Sequence, residues 1–156
     1  MAFTAADVKK LREMTSVGMM ECKKALTEAD GDFDKAIELL REKGLAKAAK
    51  KAGRIAAEGM ICAKVCDTCG VAAIVEVNAE TDFVAKNADF QAFVNEVADV
   101  IIKENPADVD ALKACKMGDL TVETALQEKV LTIGENIQIR RSERFDNSTV
   151  NVAYNH

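Results

Sequence analysis

Three groupings in this chain could do chemistry by residue type and spacing. The sharpest is Cys66-Asp67-Thr68-Cys69, with Cys62 four residues earlier. A CxxC element can hold half of a tetrahedral zinc site or exchange thiols. Zinc would still need a fourth ligand, and a redox CxxC normally stands at a helix N-terminus after a strand, whereas this one sits in a hairpin turn. The odd total of five cysteines, Cys22, Cys62, Cys66, Cys69 and Cys115, suggests free thiols in a reducing compartment, with no metal site and no cofactor. Nucleophilic catalysis lacks its base, because the single histidine is the last residue, His156, and no Gly-rich phosphate loop is present. The cations Lys47, Lys50, Lys51 and Arg54 could touch RNA. Without interleaved aromatics, however, they read better as a solvated spacer, and no direct nucleic-acid contact is expected. What remains is a non-catalytic protein that docks onto another protein.

The stretch Thr81-Asp82-Phe83-Val84 is the informative one. It follows a strand pattern and stands at a helix start, so a polar residue and a large aromatic are presented where the chain turns. The local pattern alone favours packing, with Thr81 as helix cap and Phe83 in the core.

Composition sets the frame around these residues. Of 156 residues, 49% are hydrophobic and 30% charged, as in a folded globular protein of one ordinary or two small domains. Aromatics are only 4% and tryptophan is absent, so the core must rely on Ala, Val, Leu, Ile and Met. The net charge of −5 hides a split. Residues 1–54 carry 12 Lys/Arg against 9 Asp/Glu, and residues 55–156 carry 9 against 17. An acidic second part disfavours a phosphate-binding surface and suits orientation on a protein partner. No stretch approaches the roughly 20 apolar residues that span a bilayer, and the first ten residues do not read as a secretory signal, so a cytoplasmic protein is expected.

The elements follow from spacing. Thr4 caps a helix with Val8, Leu11 and Met14 spaced by three. A second helix runs from about Met19 to Ala29, with Cys22, Ala25 and Leu26 on one face. Asp32 caps a third, which Gly44 closes. Residues 1–44 thus form a three-helix module and 45–54 a helical extension or linker. Strand patterns at Gly59–Val65 and Val71–Val77 flank the cysteine loop, and a long helix carries Phe90, Phe93, Val94, Val97, Ala98 and Ile101. Further helical patterns lie near Leu112 and at Thr121–Leu131, and Asn136–Phe145 reads as a strand. Residues 55–147 then form a core with an antiparallel sheet packed by helices. The alternation of Val150, Val152 and Tyr154 predicts one more strand within 148–156.

Two separated stretches carry a resemblance. Thr15-Ser-Val-Gly-Met-Met-Glu-Cys-Lys-Lys-Ala-Leu26 with Gly31-Asp-Phe-Asp-Lys-Ala-Ile37 resembles the N-terminal signature of the bacterial elongation factor Ts family. Arg54–Gly59 with Val75-Glu-Val-Asn-Ala-Glu-Thr-Asp-Phe-Val-Ala-Lys-Asn87 resembles its second signature. The resemblance runs from Phe3 to His156. It implies an α+β fold, with a ubiquitin-associated-like three-helix bundle ahead of an α/β core. It implies a guanine-nucleotide exchange factor in protein biosynthesis, acting on elongation factor Tu in its GDP-bound and nucleotide-free states. Thr81, Asp82, Phe83 and Val84 would be the segment reaching the partner's magnesium and phosphate region, with Asp82 and Phe83 as the working residues. Leu11, Met19 and Met20 would line the docking face of the N-terminal module. The family core has two related halves; by the resemblance, 148–156 would start the second, most of which is expected beyond His156. An unpaired edge strand there would favour a homodimer. The loop holding Cys66 and Cys69 is not part of either signature. A ubiquitin-type adaptor would need only the N-terminal bundle and would leave Thr81–Val84 unexplained.

Overall fold

Where apolar residues recur at three and four, helices form; where they alternate, strands form. The outcome is mixed helix and antiparallel sheet, α+β as expected. A computed structural model describes residues 3–147 and 149–155, and the contacts divide the chain into two units. Ser148, where the last strand was expected to begin, and the single histidine, His156, lie outside the described residues.

The first unit comprises the chain up to Gly53 and the segment Gln127–Gly134. Helix α1 (Ala5–Thr15) starts from a capping box: the Thr4 hydroxyl accepts the Asp7 N–H, and the Asp7 carboxylate accepts the Thr4 N–H at 2.7 Å. Helix α2 (Met19–Glu28) buries Cys22, Ala25 and Leu26. Asp30 and Gly31, both left-handed, turn the chain into α3 (Phe33–Lys51), where Asp32 accepts the Lys35 N–H at 3.1 Å. Val8, Leu11, Leu26, Ala36 and Leu40 meet in one core, which Leu131 joins.

Gly44, expected to close α3, instead lies inside it, and the Ala- and Lys-rich stretch continues the helix to Lys51. The glycine has a packing reason. A Cβ there would sit 3.3 Å from the Gln127 carbonyl oxygen and 3.5 Å from Leu131 Cβ. Close approach of two helix backbones is worth the roughly 1 kcal/mol that a mid-helix glycine costs relative to alanine.

The second unit, Arg54–Leu126 with the chain from Glu135 onward, is built on a three-stranded antiparallel sheet. Strands β1 (Glu58–Val65) and β2 (Ala72–Ala79) form a hairpin, and β5 (Gln138–Phe145) pairs on the other side of β2. Between β2 and β5 in the chain lie the short helix α4 (Asp82–Ala85), the long helix α5 (Ala88–Glu104), α6 (Val109–Ala114), a hairpin of the two-residue strands β3 (Lys116–Met117) and β4 (Leu120–Thr121), and α7 (Val122–Ile133), whose residues from Gln127 onward belong to the first unit. Asn87 caps α5 by accepting the Phe90 N–H at 3.1 Å. The α5 stripe of Phe90, Phe93, Val94, Val97, Ala98 and Ile101 is buried as its spacing requires, against a sheet that buries Cys62, Ala73, Val75 and Val77. Each buried phenylalanine or valine contributes roughly 1.5–3 kcal/mol. The opposite sheet face leaves Ile61 and Ile74 exposed beside a Glu76–Arg141 ion pair of 2.6 Å.

The last expected strand does not form among the described residues 149–155. Val150, Val152 and Tyr154 are exposed, and Asn151 donates from its amide to the Gly70 carbonyl at 2.7 Å. Alternation creates a strand only when a neighbouring strand supplies the ladder, and among the described residues none does.

One glycine is dictated by the hairpin itself. Gly59 has φ +134°, and a Cβ there would press on the Val77 carbonyl and lie 2.7 Å from Asn78 Cα. Gly59→Ala therefore combines backbone strain with a clash in the β1–β2 pair. It is expected to lower stability by about 2–4 kcal/mol in urea unfolding, and a loss under about 0.5 kcal/mol would contradict this.

Candidate functional site

Strand β2 ends at Ala79, and the chain must leave the sheet with its backbone donors satisfied. Glu135, which follows α7, supplies the acceptors. Its carboxylate takes the Glu80 N–H at 3.1 Å, the Thr81 N–H at 3.0 Å and the Thr81 hydroxyl at 2.7 Å. The grip is reciprocal, since the Glu80 carboxylate accepts the Asn136 N–H at 2.6 Å. Arg54 lies 3.5 Å from the same Glu80 oxygen, and the buried Asn136 donates from its amide to the Arg54 carbonyl at 2.8 Å.

Helix α4 begins on this platform. Thr81 is its N-cap in extended backbone, but its hydroxyl caps nothing in the helix; it is spent on Glu135. Val84 is 7% exposed and plugs α4 into the core. Phe83, expected from local pattern to fill the core, is 81% exposed. A one-turn helix has only one inward side, and Val84 takes it. Asp82 and Lys86 form an i,i+4 ion pair at 2.8 Å, both well exposed. The hydrogen bond from Lys86 holds the Asp82 carboxyl below the usual carboxylate range, so it is charged at neutral pH. The segment thus presents an aromatic ring and an adjacent anion from a locked backbone.

In the first unit, Met14, Met19 and Met20 are exposed, Met20 at 66%. Leu11, grouped with Met19 and Met20 by sequence, is 0% exposed and packs in the bundle core, so its side chain offers a partner nothing in this conformation. Met14 shares the Val8–Leu11 spacing but falls at the end of α1, just before Ser16 turns left-handed, and so it escapes the core.

The cysteines do not assemble a metal site. Cys66 and Cys69, expected to be free thiols, are joined as a disulfide across the β1–β2 loop, with Cα atoms 5.5 Å apart. Cys62 is buried on the α5 side, where its thiol donates to Asn95 at 3.4 Å and burial pushes its pKa up. No group of three or more metal-ligating side chains occurs among the described residues. Of the four spacer cations, three are engaged within the chain: Lys47 faces Glu21 at 3.7 Å, Lys51 donates to the Gly134 carbonyl and Arg54 faces Glu80.

Glu80, Glu135 and Asn136 were missed from sequence, where Asn136 read only as the opening of a strand. Gly134, with φ +88°, followed by two polar residues was the one available sign of a turn.

Residues 80–156 match the sequence model of the family described as Elongation factor TS. Over 153 residues the chain is 55% identical to an elongation factor Ts of Alkalilimnicola ehrlichii, covering 98% of this chain and 52% of that protein. The corresponding protein of Dinoroseobacter shibae is 56% identical over 156 residues, all of this chain and 52% of its own. That of Mycobacterium avium is 52% identical over 144 residues, 92% of this chain and 50% of its own. The chain spans about half the length of the curated relatives it matches. Along nearly the whole of its own sequence the chain is similar to elongation factor Ts proteins.

Proposed function

We propose that this chain is a translation elongation factor that binds elongation factor Tu and promotes release of GDP, allowing GTP to rebind. The observation that carries the reading is Phe83, 81% exposed on a helix whose entry is hydrogen-bonded to Glu135 and whose next residue is buried. Single exposed apolar residues are common on protein surfaces. A fixed one beside a carboxylate that stays charged, in a segment that resembles the family's second signature and lies within the matched residues 80–156, is a contact built in advance of its partner.

The mechanism is linkage and needs no catalytic group on this chain. GDP is held by phosphate contacts and magnesium, and magnesium keeps few protein ligands. A wedge that displaces the elements around the metal weakens nucleotide and metal together. The exchange factor must then bind the nucleotide-free state better than the GDP state, and GDP must weaken its binding by the same factor. In this reading Phe83 wedges among side chains near the magnesium site, Asp82 keeps anionic character there, and Thr81 and Val84 fix the segment. The three-helix unit, read as ubiquitin-associated-like, docks through its exposed methionines. Such a role belongs in the cytoplasm, and no described helix is long and apolar enough to cross a membrane.

Two experiments follow. Release of fluorescent GDP from elongation factor Tu is expected to accelerate with this chain, and Phe83→Ala and Asp82→Ala are each expected to lose about tenfold or more of that acceleration. Equal acceleration by parent and Phe83→Ala would overturn the wedge. In the first unit, Met19→Ala with Met20→Ala is expected to weaken binding to elongation factor Tu without changing the unfolding midpoint. Leu11→Ala is expected to cost about 2–5 kcal/mol of stability instead; a Leu11→Ala variant with unaltered stability would contradict its core placement.

A further inference from the structure

We infer that Glu135 is a positioning residue for Phe83: its carboxylate sets the orientation of α4, and so of the ring, before any partner arrives. This rests on the exchange reading only for what the ring does afterwards. A four-residue helix cannot hold itself in water, because one turn fixes several dihedrals for one hydrogen bond. At its far end α4 is tied by the Gln91 side-chain amide, which donates to the Ala85 carbonyl at 3.1 Å, and by the Asn87 N–H on the Val84 carbonyl at 2.9 Å, while Val84 itself is buried. Its entry, which sets the direction in which Phe83 leaves, is held by the set of bonds into Glu135 immediately before the helix begins.

These bonds are of a strong kind. Three donors converge on one ionised carboxylate, and charge-assisted bonds are roughly twice as strong as neutral ones. All three come from Glu80 and Thr81, so the peptide entering α4 is held on both its backbone and its side chain. The return bond from Asn136 N–H to Glu80 at 2.6 Å closes the grip from the other direction. Phe83 lies two residues beyond the gripped threonine. An ungripped segment would have to be ordered at the moment of binding, which takes free energy away from distorting the partner.

The side-chain chemistry ranks the variants. In Glu135→Gln the amide oxygen can still accept the two backbone N–H groups, and the amide NH2 can donate to Thr81 once that hydroxyl rotates to accept. Glu135→Ala removes every acceptor. Two measurements test the inference together. In the chain alone, amide hydrogen exchange at Glu80 and Thr81 and backbone NMR relaxation across residues 82–85 are expected to show loss of protection and added motion in Glu135→Ala, with Glu135→Gln close to parent. Unchanged protection and relaxation in Glu135→Ala would overturn the inference, whatever elongation factor Tu does.

With elongation factor Tu present, the GDP release rate at saturating chain is expected to fall about tenfold in Glu135→Ala and much less in Glu135→Gln, with little change in the half-saturating concentration. Adding Glu135→Ala to Phe83→Ala is expected to cost no more than Phe83→Ala alone, because Glu135 acts through the ring. Additive losses would mean a merely structural role and would overturn the inference. If the parent accelerates nothing, the exchange reading fails, and the exchange and relaxation data on the chain alone still decide whether Glu135 sets α4.

Discussion

A chain that leaves a sheet must find partners for the backbone groups that the ladder no longer serves, and at the end of β2 this requirement shapes everything around the exposed ring. The strand is held in the middle of its sheet, with Val75 and Val77 packed on the α5 side, so its end is fixed in space. The next two N–H groups turn to the Glu135 carboxylate, and α4 starts from there. Had those donors been met by water, the single turn would have been held at Val84 and at its far end, where Gln91 donates to the Ala85 carbonyl, but not at its entry. The site is therefore made by the meeting of two distant stretches of chain, residues 80–81 and 135–136, more than by the four-residue motif itself.

That explains what could and could not be seen in the sequence. Periodicity found α5 with six of its seven buried positions, the two strands of the hairpin and the capped starts of α1 and α3, because each depends on near neighbours. It failed where a distant contact decides. Gly44 looked like a helix end and is a close-packing point against the Gln127 backbone. Leu11 and Met14 looked alike by spacing, yet one is core and the other surface. Thr81 was expected as a side-chain cap and spends its hydroxyl on a residue more than fifty positions away. Phe83 is the instructive case: local pattern argues for burial, and the geometry of a one-turn helix, with Val84 turned inward, explains its exposure.

The same segment lies within the residues that match the Elongation factor TS family model, and the linkage argument gives its features a purpose. A wedge that is flexible spends binding energy on its own ordering, whereas a wedge held by a carboxylate and a buried valine can spend it on the partner. The chain spans half the length of those relatives, so the proposed activity is assigned here to the segment it contains and to the three-helix unit that precedes it.

The central claim is that Phe83 couples binding of this chain to loss of GDP. The most direct measurement is the affinity of the chain for elongation factor Tu, nucleotide-free and saturated with GDP, by calorimetry, for parent and Phe83→Ala. The account predicts that the parent prefers the nucleotide-free form by at least about tenfold, a coupling of about 1.4 kcal/mol, and that Phe83→Ala brings the ratio close to one. A ratio that survives removal of the ring would contradict it.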